Sequence, residues 1–117
     1  MMLLLPWPPR ECSPNWRGHW SDRAAAVKRY RAHCSALAKE AKLAIDWEGD
    51  VHLWLDFVPP DKRARDDDNI IAAFKGGRDG LADALQIDDK RFRSHPYVTT
   101  ETMRGGGVRV RLSAGPV

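Results

Sequence analysis

What this chain lacks narrows what it can be. It has no long hydrophobic run: Met1 to Leu5 is apolar, but Pro6, Pro8 and Pro9 cut the stretch far short of a signal segment or membrane span. Cysteine is scarce. Cys12 and Cys34 stand alone and far apart, which excludes a disulfide framework and leads us to expect reduced thiols in a cytoplasmic protein. Together with His19 and His33 they match no standard spacing of zinc ligands. No repeat, low-complexity tract or linker divides the chain, so residues 1–117 read as a single domain. No Gly-Ser element precedes the main acidic cluster, which disfavours a nucleotidyltransferase built on paired aspartates.

The apolar fraction of 43% and charged fraction of 30% are those of a soluble globular domain. Nineteen Lys and Arg stand against 16 Asp and Glu, a net charge of +3, and five of the acids are concentrated at 66–68 and 88–89. If cations neutralise that concentration, the remaining surface is clearly positive and suits a polyanion.

Leu3-Leu4-Leu5-Pro6-Trp7 reads as a short opening strand that Pro8-Pro9 stops. Arg10 to Trp20 reads as a loop holding Arg10, Asn15, Arg17 and His19 among tryptophans, where cations and rings could meet phosphate and bases or simply cover a core edge. Ser21 is a suitable N-cap for a helix to about Leu43, with Val27, Tyr30, Cys34, Leu37 and Ala41 as its buried stripe. Lys28, Arg29, Arg31, Lys39 and Lys42 fall on its outer face. Val51 to Val58 alternates as a strand, with Val51, Leu53, Leu55 and Phe57 on one side and His52, Trp54 and Asp56 on the other. A second helix should run from near Asp68 to about Leu85, bent or closely packed at Gly76-Gly77. Two strands should follow, Phe92 to Thr100 and Val108 to Leu112, with Gly105-Gly106-Gly107 turning between them. The order β-α-β-α-β-β predicts an α+β two-layer sandwich, two helices packed on a mixed four-stranded sheet.

Arg63-Ala64-Arg65-Asp66-Asp67-Asp68-Asn69, followed by Asp88-Asp89, is the chemically distinctive part. Carboxylates bunched in a basic chain repel the polyanion that the rest attracts, and a shared divalent cation reconciles the two. On an extended lead-in, Asp66 and Asp68 face the same way; inside a helix they would diverge by about 200°. Asp66 is therefore expected before the helix and Asp68 at its mouth, where it could also act as cap. Asn69 could orient a ligand there, while Asp88 and Asp89 return on a turn after the helix. An Asp-rich turn can also do no more than cap a helix. Lys62, Arg63 and Arg65 beside the cluster, with Arg10 and Arg17 on the N-terminal loop, are candidate DNA phosphate contacts.

These residues resemble the RusA-type Holliday junction resolvases. Members open with Leu-Pro-x-Pro-Pro, carry Arg-Asp-x-Asp-Asn leading into a helix with a lysine, and follow it with an Asp-Asp pair. This chain has Leu5-Pro6-Trp7-Pro8-Pro9, Arg65-Asp66-Asp67-Asp68-Asn69 and Asp88-Asp89, in that order over nearly its whole length. The resemblance implies a homodimeric, Mg²⁺-dependent endodeoxyribonuclease (Mn²⁺ being a possible substitute) that nicks four-way branched DNA symmetrically in recombination and repair. It places the essential carboxylates at Asp66, Asp68 and Asp89, with Asp88 and Asn69 adjoining. Such compact resolvases are often phage-borne. The lysine departs from the family spacing: Ala72 occupies the usual position, and counting back from Asp79-Gly80-Leu81 assigns the role to Lys75. A displaced lysine leaves open a branched-DNA-binding protein with weak or no cleavage. A general nuclease or RNase without junction preference is a further alternative.

Overall fold

A computed structural model describes residues 2–117; Met1 of the opening apolar stretch lies outside the described residues. The chain forms an α+β fold in which helices cover one face of a four-stranded mixed sheet. The strands are β1 (Met2–Leu5), β2 (Val51–Val58), β3 (Phe92–Val98) and β4 (Gly107–Ser113). The helices are α1 (Trp20–Glu40), α2 (Asp67–Ala73) and α3 (Lys75–Leu85), with single 3-10 turns at Arg10–Cys12 and Asp89–Arg91. The sheet order is β1-β4-β2-β3, with β2 parallel to β3 and every other pairing antiparallel.

The alternation in β2 does what its period requires: Val51, Leu53, Leu55 and Phe57 are buried. Val108 and Val110 of β4, Leu3 and Leu5 of β1 and Phe92 of β3 join them on the helix-covered face. The Phe57 ring meets Phe74 edge-on at 5.5 Å, and Phe74 meets Tyr30 at 6.2 Å, so three elements converge on one aromatic core. Among the described residues no helix covers the opposite sheet face. There His52 and His95 share a hydrogen bond of 2.7 Å, the His95 ring stacks on Trp54 at 4.0 Å, and Arg111 lies 4.9 Å from the Trp54 ring.

Several boundaries differ from those the sequence suggests. The first strand ends at Leu5, since Pro6 has no N–H to give the ladder. His19, not Ser21, caps α1: its Nδ1 accepts from the Ser21 backbone at 3.1 Å, which makes Trp20 the first helical residue. The helix stops at Glu40 because Lys42 adopts φ +59°, while Lys42 N–H bonds Lys39 O and Leu43 N–H bonds Ala38 O. This paired closure is the Schellman arrangement. The second helix is two pieces. Its break falls at Phe74 (φ −83°, ψ 0°), ahead of the glycines. Of the bend or close packing expected at the glycine pair, Gly76 shows the close packing, and Gly80 adds to it: a Cβ on Gly80 would stand 2.4 Å from Arg31 O, and one on Gly76 would stand 3.1 Å from Val27 O. The third and fourth strands form no hairpin. The segment after β3 crosses the end of β2, held by Thr99 N–H to Phe57 O and Met103 N–H to Pro59 O. Gly105 and Gly106, at φ +79° and +70°, then turn the chain so that β4 lands on the far side of β2.

Candidate functional site

The acidic segment sits where β2 hands the chain to α2. Asp66 is extended (φ −83°, ψ 120°) and is the N-cap, its Oδ1 accepting from Asp68 N–H at 2.9 Å. Asp68 therefore lies within the first turn and does not cap. No ion pair among the described residues engages Asp66, Asp67 or Asp68, so one oxygen of Asp66 and both of Asp68 stay available.

Upstream, Asp61 organises the approach. Its carboxylate accepts from Arg63 N–H at 2.9 Å and pairs with the Arg65 guanidinium at 2.9 Å. The Arg63 N–H first, and Arg65 with it, hold the Asp61 carboxyl below the ordinary range. Arg65 also donates to the carbonyls of Asp61 and Arg63, both at 3.1 Å, and lies 6.0 Å from the centre of the Trp7 ring. Arg10, Asn15, Arg65, Asp66 and Asn69 line one cleft with Trp7, of about 340 Å³. Lys62 and Arg63 line a neighbouring cleft beside Asp67 and Thr99 to Thr102. Arg17 is exposed on the N-terminal loop, outside both clefts.

A second cluster forms at the start of α3. Lys75 Nζ reaches Asp79 at 2.7 Å and Asp89 at 3.9 Å. Arg78 donates to Asp89 Oδ2 at 3.1 Å, to Asp89 O at 3.3 Å and to Ser94 Oγ at 3.2 Å. Asp88 caps the following 3-10 turn through Lys90 N–H at 2.9 Å. Nearby, Arg31 of α1 forks onto Asp83 at 2.7 and 2.8 Å and keeps that carboxyl low.

The structure thus brings Lys75 against Asp89, and gathers Arg10, Arg65, Asp66 and Asn69 in one cleft. It does not close Asp66, Asp68 and Asp89 into a cage. Among the described residues no three His, Cys, Asp or Glu side chains group to hold a metal ion, Cys12, His19, His33 and Cys34 included. Asp66 gives one oxygen to the helix cap, and Asp89 is ion-paired with Arg78 and Lys75. As they stand in this structure, the three carboxylates form no ready-made ligand set.

Arg78 is the residue that the sequence reading passed over. The available signal was spacing: Lys75, Arg78 and Asp79 stand at i, i+3 and i+4 and share one helix face. Trp7, expected at the end of the opening strand and in the proline-rich opening, lies beyond β1 and lines the cleft.

No family model matches the chain. A protein of Xylella fastidiosa (strain Temecula1 / ATCC 700964), described only as uncharacterized, is 45% identical over 114 residues, covering 95% of this chain and 74% of that protein. This chain belongs to the same family as the Xylella protein.

Proposed function

We propose that this chain is a metal-dependent, structure-specific endodeoxyribonuclease of RusA type, resolving four-way branched DNA by paired nicks in recombination and repair. The observation that carries the reading is the return of the trailing Asp-Asp segment onto the lysine-bearing helix start. Asp89 lies 3.9 Å from Lys75, two residues that the resemblance pairs in function and the sequence keeps apart. Asp66, Asp68 and Asp89 are the proposed essential carboxylates, with Asp88 adjoining. Lys75 is the proposed contact to the scissile phosphate, and Asn69 the group that orients a ligand. Lys62, Arg63, Arg65, Arg10 and Arg17 would neutralise flanking phosphates. Mg²⁺, or Mn²⁺ in its place, is the proposed cofactor. A homodimer is proposed because a near two-fold junction needs two coordinated cuts. The cytoplasm is the proposed site of action; no helix among the described residues is long and apolar enough to cross a membrane.

The second reading, a branched-DNA-binding protein that cuts weakly or not at all, is favoured by one observation. Lys75 is drawn to Asp79 at 2.7 Å and Asp89 is ion-paired with Arg78, so both are engaged by their own chain. A nicking assay on a synthetic four-way junction with Mg²⁺ or Mn²⁺ separates the two. Wild type should nick, and Asp66→Asn, Asp68→Asn and Asp89→Asn should each lose at least roughly 100-fold in rate while retaining junction binding. Lys75→Ala should lose a similar amount. Normal cutting by all four variants would refute the assignment, and tight binding without nicking by wild type would establish the second reading.

A further inference from the structure

The cleft between the N-terminal loop and the head of α2 has a chemistry that phosphodiester cutting does not require. Its apolar wall is built by Trp7 and Ile70, and its polar rim by Arg10, Arg65, Asn15 and Asn69. Trp7 is fixed from two sides. The Tyr30 hydroxyl donates to the preceding Pro6 carbonyl at 2.6 Å, and Gly106 backs so closely that a Cβ there would stand 3.0 Å from the Trp7 Cβ. Arg65, beside the Trp7 ring, is itself tied to the Asp61 carboxylate and to two carbonyls. The ring and the guanidinium plane are therefore set before any ligand arrives, which lowers the ordering cost of binding. Asn15 closes its turn with its backbone N–H on Ser13 Oγ at 3.2 Å, which leaves the side-chain amide for a ligand.

At about 340 Å³ the cleft lies at the small end of the roughly 300–1,000 Å³ range of ligand sites. A duplex does not enter such a space; one base with its sugar does. Every base offers a π face to an indole or guanidinium. An asparagine amide presents a donor and an acceptor side by side, the complement of a base edge. We infer that this cleft captures a single unpaired nucleobase beside the Trp7–Arg65 pair, with Asn15 and Asn69 on its edge and Arg10 on the adjoining phosphate. The inference deepens the branched-DNA reading and rests on it for the source of the base: strands that exchange at a branch point offer unstacked nucleotides, and Asp66 lines the same cleft.

The test uses 2-aminopurine in two probes, a short single strand and the branch point of a four-way junction. Binding of the full chain should change 2-aminopurine emission at least roughly twofold on both. Trp7→Ala should weaken single-strand binding roughly 5- to 100-fold, the loss of one base stack, while Trp7→Phe keeps most of it. Asn15→Ala lies on an exposed loop, leaves the melting curve unchanged and should also blunt the emission change. Unaltered emission on both probes, or equal affinity in wild type, Trp7→Ala and Asn15→Ala, overturns the inference. Junction nicking without any emission change refutes the base cleft alone. An emission change on the single strand and none on the junction supports the cleft and refutes the branch point as the source of its base.

Discussion

Replacing Arg78 by alanine should cost this fold about 2 kcal/mol. Arg78 is the rivet between α3 and the entry to β3: it donates to Asp89 Oδ2 at 3.1 Å, Asp89 O at 3.3 Å and Ser94 Oγ at 3.2 Å, and lies 5.3 Å from the Phe92 ring. A neutral hydrogen bond contributes roughly 0.5–1.5 kcal/mol net and a charge-assisted one roughly 1.5–3. These are long, and the Asp89 side chain is 41% exposed, so solvent screening places each at the low end. Ring contact adds roughly 0.5 kcal/mol. Offsetting this, alanine relieves the arginine's lost rotamer freedom by about 1 kcal/mol. The net of about 2 kcal/mol corresponds to a fall in Tm of about 8 °C for a domain of this size. Urea titration with the m-value held constant measures it directly. Arg78→Lys, which keeps the charge and loses the fork, should forfeit about half as much. In a cycle with Asp89→Ala, the coupling should exceed roughly 0.5 kcal/mol. A loss for Arg78→Ala below roughly 0.5 kcal/mol would refute the claim that this side chain fastens the Asp89 turn.

Gly80→Ala should destabilise by at least about 1 kcal/mol in the same titration, since the added methyl meets Arg31 O at 2.4 Å and must push α1 away. Gly76→Ala, whose methyl meets Val27 O at 3.1 Å, should be near neutral because helix propensity offsets the contact. Gln86 closes α3 at φ +55° and is exposed, so Gln86→Gly should raise stability by roughly 0.5–1 kcal/mol, seen as a higher Tm. Stability should fall from about pH 9 upward. Burial pushes the Cys34 thiol up to about 11 and lifts Cys12 and Tyr30 as well, so above the ordinary thiol range the unfolded chain releases protons that the fold retains. The contribution is complete below pH 9 and lost as pH climbs toward 11; Cys34→Ala should flatten the urea-midpoint profile there, and an unchanged slope would count against the burial argument.

How much of this was legible depended on whether the determining contact was local. β2 declared itself because its alternation of apolar and polar residues needs no partner to be read, and the helix stripe through Tyr30 and Cys34 did so for the same reason. Ser21 looked like the cap because its residue type fits; His19 took the position with a ring nitrogen, a less common acceptor that sequence rules rank low. The glycines before β4 announced a turn correctly, yet a turn signal cannot say which strand receives the chain. Register against β2 decided that, through Val108 and Val110. At the site, the extended Asp66 ahead of the helix was legible from the lead-in, whereas the cap fell to Asp66 rather than to Asp68, and the approach of Asp89 to Lys75 was not read from the turn. The neutralisation of Asp89 by Arg78 was hidden, because an arginine on a helix reads as solvated until its partner's position in space is known.

The pairing of the first strand with the last has a consequence for how the molecule is made. Among the described residues β1 pairs with β4 alone, and β2 lacks one flank until β4 is in place. A ribosome that has released Leu5 must synthesise another hundred or so residues before that edge can close, so β1 waits unpaired until β4 has emerged. A nonsense codon before Gly107 would leave β1 with no strand to join and set Trp7 loose, dismantling the cleft and reducing the sheet to its β2–β3 pair.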